Sequence, residues 1–239
     1  MRLLLLMAVF AFKCHGQPFS MGDGGWLTSV QSGHALAAPV FLRANTNAAQ
    51  SGTVNTTNNP TGANLGVVWI SFRSAVARTI SSVTNFGGTA YTNIYTTNVF
   101  SSTQGKLACY ALASPADGGV FVTLSGTYSN MTVCAEMYSG VGGTGDVEAM
   151  GLNTTASAFN NNLTTVTTDL AIDGTAYNVV AETPTKGASQ TVVTNAFVTG
   201  MSGDGIYSLQ SGVGGTTTMT WTPGASDTFS WIGVVLHGQ

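Results

Sequence analysis

Only 7% of the 239 residues are charged, 7 Lys and Arg against 10 Asp and Glu, for a formal net charge of −3. A helical protein normally covers its surface with charges, whereas a sheet can cover its outer faces with Thr, Ser and Asn, so the composition excludes a helical bundle and predicts an all-β chain. The scattered cations Arg43, Arg73, Arg78, Lys106 and Lys186 exclude a phosphate-tracking nucleic-acid surface, and hydrophobic residues at 44% exclude disorder.

The chain opens with Arg2 and an apolar run from Leu3 to Phe12, followed by Cys14-His15-Gly16. Residues 1–16 therefore read either as an export signal cut before Gln17 or as a docking arm packed on protein; the run is too short to span a bilayer as a helix. Residues 17–64 are polar and turn-rich, with Gly22, Gly24, Gly25, Pro39 and an Asn58-Asn59-Pro60 turn, and hold one or two strands at 40–43 and 50–57.

From residue 65 to 239 short β-branched or aromatic runs recur between Gly, Asn, Ser and Pro, the pattern of a sandwich. The expected strands are 65–72, 79–84, 90–96, 106–112, 120–124, 131–138, 170–176, 191–197, 206–209, 216–222 and 229–236. They predict a two-sheet antiparallel sandwich, jelly-roll-like or lectin-like. In 216–222, Thr216, Thr218, Thr220 and Thr222 alternate with Thr217, Met219 and Trp221, so one face is lined with hydroxyls and the other points inward. A faint echo links the halves. Gly118-Gly119 and Gly214-Gly215 each open a Thr-containing strand, 131–138 and 229–236 each end before a Gly two residues on, and Leu65 and Leu170 begin similar runs.

Few residues carry chemistry. Gly140-Val-Gly-Gly-Thr-Gly145 matches a dinucleotide fingerprint, but that motif works by opening a helix, and no helical pattern follows it; a connecting loop is the better reading. Loop carboxylates could gather calcium at Asp146, Glu148 and Asp204. Asp146 with Glu148, and Asp169 with Asp173, are the closest acidic pairs for a glycosidase, yet any sequence offers such pairs; nucleophilic catalysis lacks a Ser elbow or His motif, and no enzyme is expected. Cys109 and Cys134 lie in apolar strands, either as buried small side chains or as a disulfide. Trp69, Trp221 and Trp231 read as core. Period-two alternation puts Tyr91, Asn93 and Tyr95 on one face; if outward, two rings and an amide form a glycan site.

The runs Thr79-Ile-Ser-Ser-Val-Thr, Gly87-Gly-Thr-Ala-Tyr91, Lys106 to Leu112, Gly119-Val-Phe-Val-Thr-Leu, Ala135-Glu-Met-Tyr-Ser-Gly140 and Trp231-Ile-Gly-Val-Val-Leu resemble Gly/Thr/Ser-rich β-sandwich proteins of tailed phages and environmental bacteria. The resemblance covers residues 65–239. It implies a jelly-roll-like sandwich on a virion surface or outside a cell, and brings no catalytic residues with it. The expected role is a non-enzymatic virion component, a capsid decoration or tail-associated protein whose partners are copies of itself or other virion proteins. The alternative is a secreted bacterial carbohydrate-binding or adhesion module. No cofactor beyond calcium, no nucleic acid and no membrane span are expected.

Overall fold

The computed structural model describes residues 37–49, 62–99, 105–116, 118–128, 130–144, 147–155, 159–177, 184–196, 204–222 and 229–239. The predicted segment 1–16, the strand expected at 50–57 and Asp146 lie outside the described residues. The rest is antiparallel β-structure, with no helical element among the described residues.

Seven strands form the first half: β1 (Val40–Ala49), β2 (Leu65–Arg73), β3 (Ile80–Asn85), β4 (Thr92–Asn98), β5 (Gly105–Ala113), β6 (Val120–Leu124) and β7 (Asn130–Ser139). Eight form the second: β8 (Val147–Thr155), β9 (Phe159–Thr165), β10 (Leu170–Tyr177), β11 (Thr185–Lys186), β12 (Thr191–Ala196), β13 (Asp204–Ser211), β14 (Gly215–Thr222) and β15 (Phe229–Leu236). The sandwich thus begins before residue 65, because β1 is the edge strand beside β7.

The all-β antiparallel class is as expected, but the described residues form four sheets rather than two. Their orders are β1-β7-β2-β5-β4, β12-β13-β10-β15-β8, β11-β14-β9 and β3-β6. The two five-stranded sheets face each other across a core containing Leu65, Trp69, Tyr138, Ile172, Tyr207 and Val234. The outer face of the first is covered by β3 and β6 through Val83, Val120 and Val122. The outer face of the second is covered by β9 and β14 through Leu163, Met219 and Trp221. The central strands are therefore buried on both sides. This is why β2 is apolar but for Ser71, with every residue from Leu65 to Phe72 buried, whereas β14 alternates as its sequence predicts.

The faint echo in the sequence is a structural duplication. Matching β1 with β8, and β2 through β7 with β10 through β15, turns one five-strand order into the other, with β9 as the added strand. Register agrees as well. Leu65 pairs with Tyr138 and Ala113, and its counterpart Leu170 pairs with Leu236 and Ser211. The edge strands even share a bulge, between Asn93 and Tyr95 in β4 and between Val192 and Thr194 in β12. Contacts between the halves are reciprocal: β1 meets β12 as β4 meets β8, and β5 meets β15 as β13 meets β7. The chain is in effect an isologous dimer within one polypeptide.

Trp69 and Gly174 occupy equivalent positions in the two halves and touch across this pseudo-two-fold. A Cβ on Gly174 would stand 2.5 Å from Trp69 Cε3, and the indole is held by stacking on Tyr207 at 5.8 Å and by a hydrogen bond to Glu136. Gly174→Ala is accordingly expected to cost roughly 1–3 kcal/mol through overpacking, read as a lower urea midpoint at unchanged slope.

Candidate functional site

The expected Tyr91-Asn93-Tyr95 face is not formed. Tyr91 precedes β4 and is 6% exposed, packed in the core beneath β3 and β6, where burial pushes its phenol up to about 12. The β4 bulge then separates the other two. Asn93 lies opposite Tyr110 and Tyr95 opposite Cys109, neighbours on β5 that point to opposite faces. An extra residue reverses the side-chain alternation that the sequence reading assumed. Asn93 Nδ2 donates to Thr96 Oγ1 at 2.8 Å, and Tyr95 is exposed at the sheet edge. The two tyrosines should separate in thermal melts. Tyr91→Ala is expected to cost on the order of 3–5 kcal/mol as a buried aromatic truncation, while Tyr95→Ala leaves the melting temperature nearly unmoved.

The disulfide reading is also corrected. Cys109 on β5 and Cys134 on β7 both pair with Trp69, one on each side of β2, and both thiols are free and buried. Two strand spacings put their Cα atoms about 10 Å apart, beyond the roughly 7 Å limit of a disulfide. Burial pushes both thiols well up, so they are packing groups rather than nucleophiles.

The calcium set is not brought together. Glu148 pairs with Val235 in edge strand β8, which aligns through Ala171 with Gln210 at one end of β13. Asp204 lies at the other end of β13, so the two are separated by roughly 20 Å along the strands and three strand spacings across them. No cluster of three or more metal-ligating side chains occurs among the described residues.

The described part of the glycine motif, residues 140–144, follows β7 and opens no α-helix. Asn64 Nδ2 donates to Val141 O at 2.7 Å, and Val141 bridges to Gly238. His237 Nδ1 stands 3.1 Å from Asp169 Oδ1, and Asp169 Oδ2 accepts from the Val166 amide at 2.7 Å. Asp169 thus closes the turn before β10, its two oxygens engaged by the Val166 amide and His237, while those of Asp173 are engaged by Ser208, Trp221 and Trp231.

Two buried carboxylates stand out in the structure, and sequence reading gave neither its role. Glu136 on β7 is fully buried; its Oε2 accepts from Trp69 Nε1 at 3.0 Å and from the Tyr138 hydroxyl at 2.7 Å. Burial pushes its carboxyl up to about 7, against the lowering effect of these donors. Asp173 on β10 is fully buried on the opposite side of the second sheet. Its Oδ2 accepts from Trp221 Nε1 at 2.7 Å and Trp231 Nε1 at 2.8 Å, and its Oδ1 from Ser208 Oγ at 2.6 Å. Burial raises it to about 6. Gln190 extends this network, donating to Ser208 Oγ and accepting from the Gly187 and Thr220 amides. The three core tryptophans are thus anchored by acids as well as by packing. A lone acid within an otherwise apolar, doubly buried strand was the available signal.

The shallow cleft of about 300 Å³ lined by Ser74, Ala75, Val76, Arg78, Thr127 and Tyr128 contains no carboxylate. No helix among the described residues is long and apolar enough to cross a membrane. Fold and side chains together define an all-β antiparallel sandwich protein built from two related modules. Comparison of the chain with protein-family models, curated proteins and solved structures finds no match. The resemblance to phage and bacterial sandwich proteins therefore rests on the sequence runs alone.

Proposed function

We propose that this protein is a non-enzymatic structural module of an assembled surface, in its specific form a phage virion component, either a capsid decoration or a tail-associated protein. The observation that carries this reading is the duplicated, pseudo-two-fold sandwich, in which the side chains with the most perturbed acidity serve the interior. Glu136 and Asp173 are enclosed between sheets and occupied by indole and hydroxyl donors, an arrangement that supports rigidity rather than turnover. Exposed apolar side chains among the described residues could serve as docking handles. Phe86 is 70% exposed beside Phe121, with ring centroids 6.3 Å apart, on the outer β3-β6 pair.

Antibodies raised against the purified chain test the proposal on density-gradient fractions of a lysate from the source culture. Label on particles supports it; label confined to particle-free medium or to cells overturns it. With so few charges, association with the particle should change little between low and high salt.

A further inference from the structure

We infer that the outer face of the β9-β14 sheet is a binding surface for an extended neutral polysaccharide. The register places Asn160 opposite Thr220, Asn162 opposite Thr218 and Thr164 opposite Thr216. Thr220 is partly exposed and the other five are exposed. These are outward positions, because the alternate residues Leu163, Thr217, Met219 and Trp221 are buried beneath them. Neighbouring rungs are about 7 Å apart along the strands, and the two strands about 5 Å apart.

Two rungs are locked in place. Thr218 Oγ1 donates to Asn162 Oδ1, and Thr220 Oγ1 to Asn160 Oδ1, each at 2.8 Å. Using the hydroxyl proton and the amide oxygen in this way leaves each rung presenting amide N–H donors beside a hydroxyl lone pair. The pattern occurs at two successive rungs, with the hydroxyls of Thr164 and Thr216 continuing the ladder, and holding the side chains beforehand reduces the entropy lost on binding.

Chemistry selects the occupant. The six ladder side chains carry no charge, so they have nothing to attract an anion, and none is of the apolar or aromatic kind that the core of a protein interface requires; exposed Lys186 on β11 and Val166 and Val213 at the strand ends lie outside the ladder. A neutral sugar polymer supplies hydroxyls that both donate and accept, repeated at regular intervals. The first module lends contrast, because the outer pair β3-β6 exposes Phe86 instead. The inference holds whether the module is carried on a particle or secreted, and its test is independent of particle labelling.

Affinity electrophoresis of the full chain through gels containing a soluble β-glucan, a galactomannan or an α-mannan, with alginate as the acidic comparison, reads the interaction. Retardation in at least one neutral gel, unaffected by high salt and absent in alginate, is expected. The double variant Thr218→Val and Thr220→Val keeps β-branched side chains and should weaken the interaction about ten-fold or more, since two hydrogen-bonding rungs are lost. Its melting temperature should match the parent, and Asn93→Ala on β4 should bind as the parent does. No retardation in any neutral gel, retardation only in alginate, or retardation unchanged in the double variant overturns the inference.

Discussion

Asp173→Ala is expected to lower the unfolding free energy by about 3–5 kcal/mol, because one side chain satisfies three buried donors and each stranded donor costs about 1–3 kcal/mol. Ser208 can turn its hydroxyl, but the indoles of Trp221 and Trp231 are fixed by the packing around them, with both residues fully buried. The damage should spread to the turn before β12, since Gln190 reaches the network through Ser208. Asp173→Asn provides the comparison. Its remaining oxygen can accept from both indoles while its amide faces the Ser208 oxygen, so the loss should be nearer 1 kcal/mol. Urea unfolding followed by tryptophan fluorescence measures both variants. An alanine variant as stable as the asparagine variant would show that the network contributes nothing beyond filling space.

The strands were legible where burial dictates composition. β2, β7 and β15 are mostly apolar because sheets cover both of their faces, with Ser71, Thr132, Glu136 and Ser230 among the buried polar exceptions, and β14 alternates because one of its faces meets solvent. Strands β8 and β9 escaped notice because Val147–Thr155 and Phe159–Thr165 are built mostly from Gly, Asn, Thr and Ala, the residues also used for loops. Pairing order was not legible, since nothing local tells β7 to lie between β1 and β2. The duplication left as traces the glycine pairs, the Gly140 and Gly238 that follow 131–138 and 229–236, and Leu65 with Leu170, because the two halves keep register while changing side chains: Trp69 answers to Gly174, and Tyr138 to Leu236. The Tyr91 trio failed for a related reason. A single bulge, invisible to a period-two count, sends Asn93 and Tyr95 to opposite faces.

Stability should fall as pH rises from about 5 to 8, the reverse of proteins whose carboxylates are held low by salt bridges. Glu136 ordinarily ionises near 4.5 and in the fold near 7; Asp173 ordinarily near 3.8 and in the fold near 6. In both cases desolvation is the leading cause, opposed by hydrogen-bond donors, and Asp173 also raises Glu136 by repulsion. Across this window the folded chain holds protons that the unfolded chain has released. The stabilisation is therefore complete below about pH 4, is lost as pH passes through about 6 and then about 7, and changes little beyond about 8. Each carboxyl alone corresponds to roughly 3 kcal/mol, and their mutual repulsion prevents simple addition. Cys109, Cys134 and Tyr138, which face Glu136, are pushed up by burial and remain protonated throughout. Glu136→Gln keeps an acceptor for Trp69 and Tyr138 while removing the later titration, so its stability should be flat between about pH 6.5 and 8, where the parent is still falling. Urea midpoints at pH 4.5, 6.5 and 8 give the comparison. A parent protein whose midpoint climbs across that series would mean that the interior accommodates both ionised carboxylates, and the donors around them would then outweigh burial.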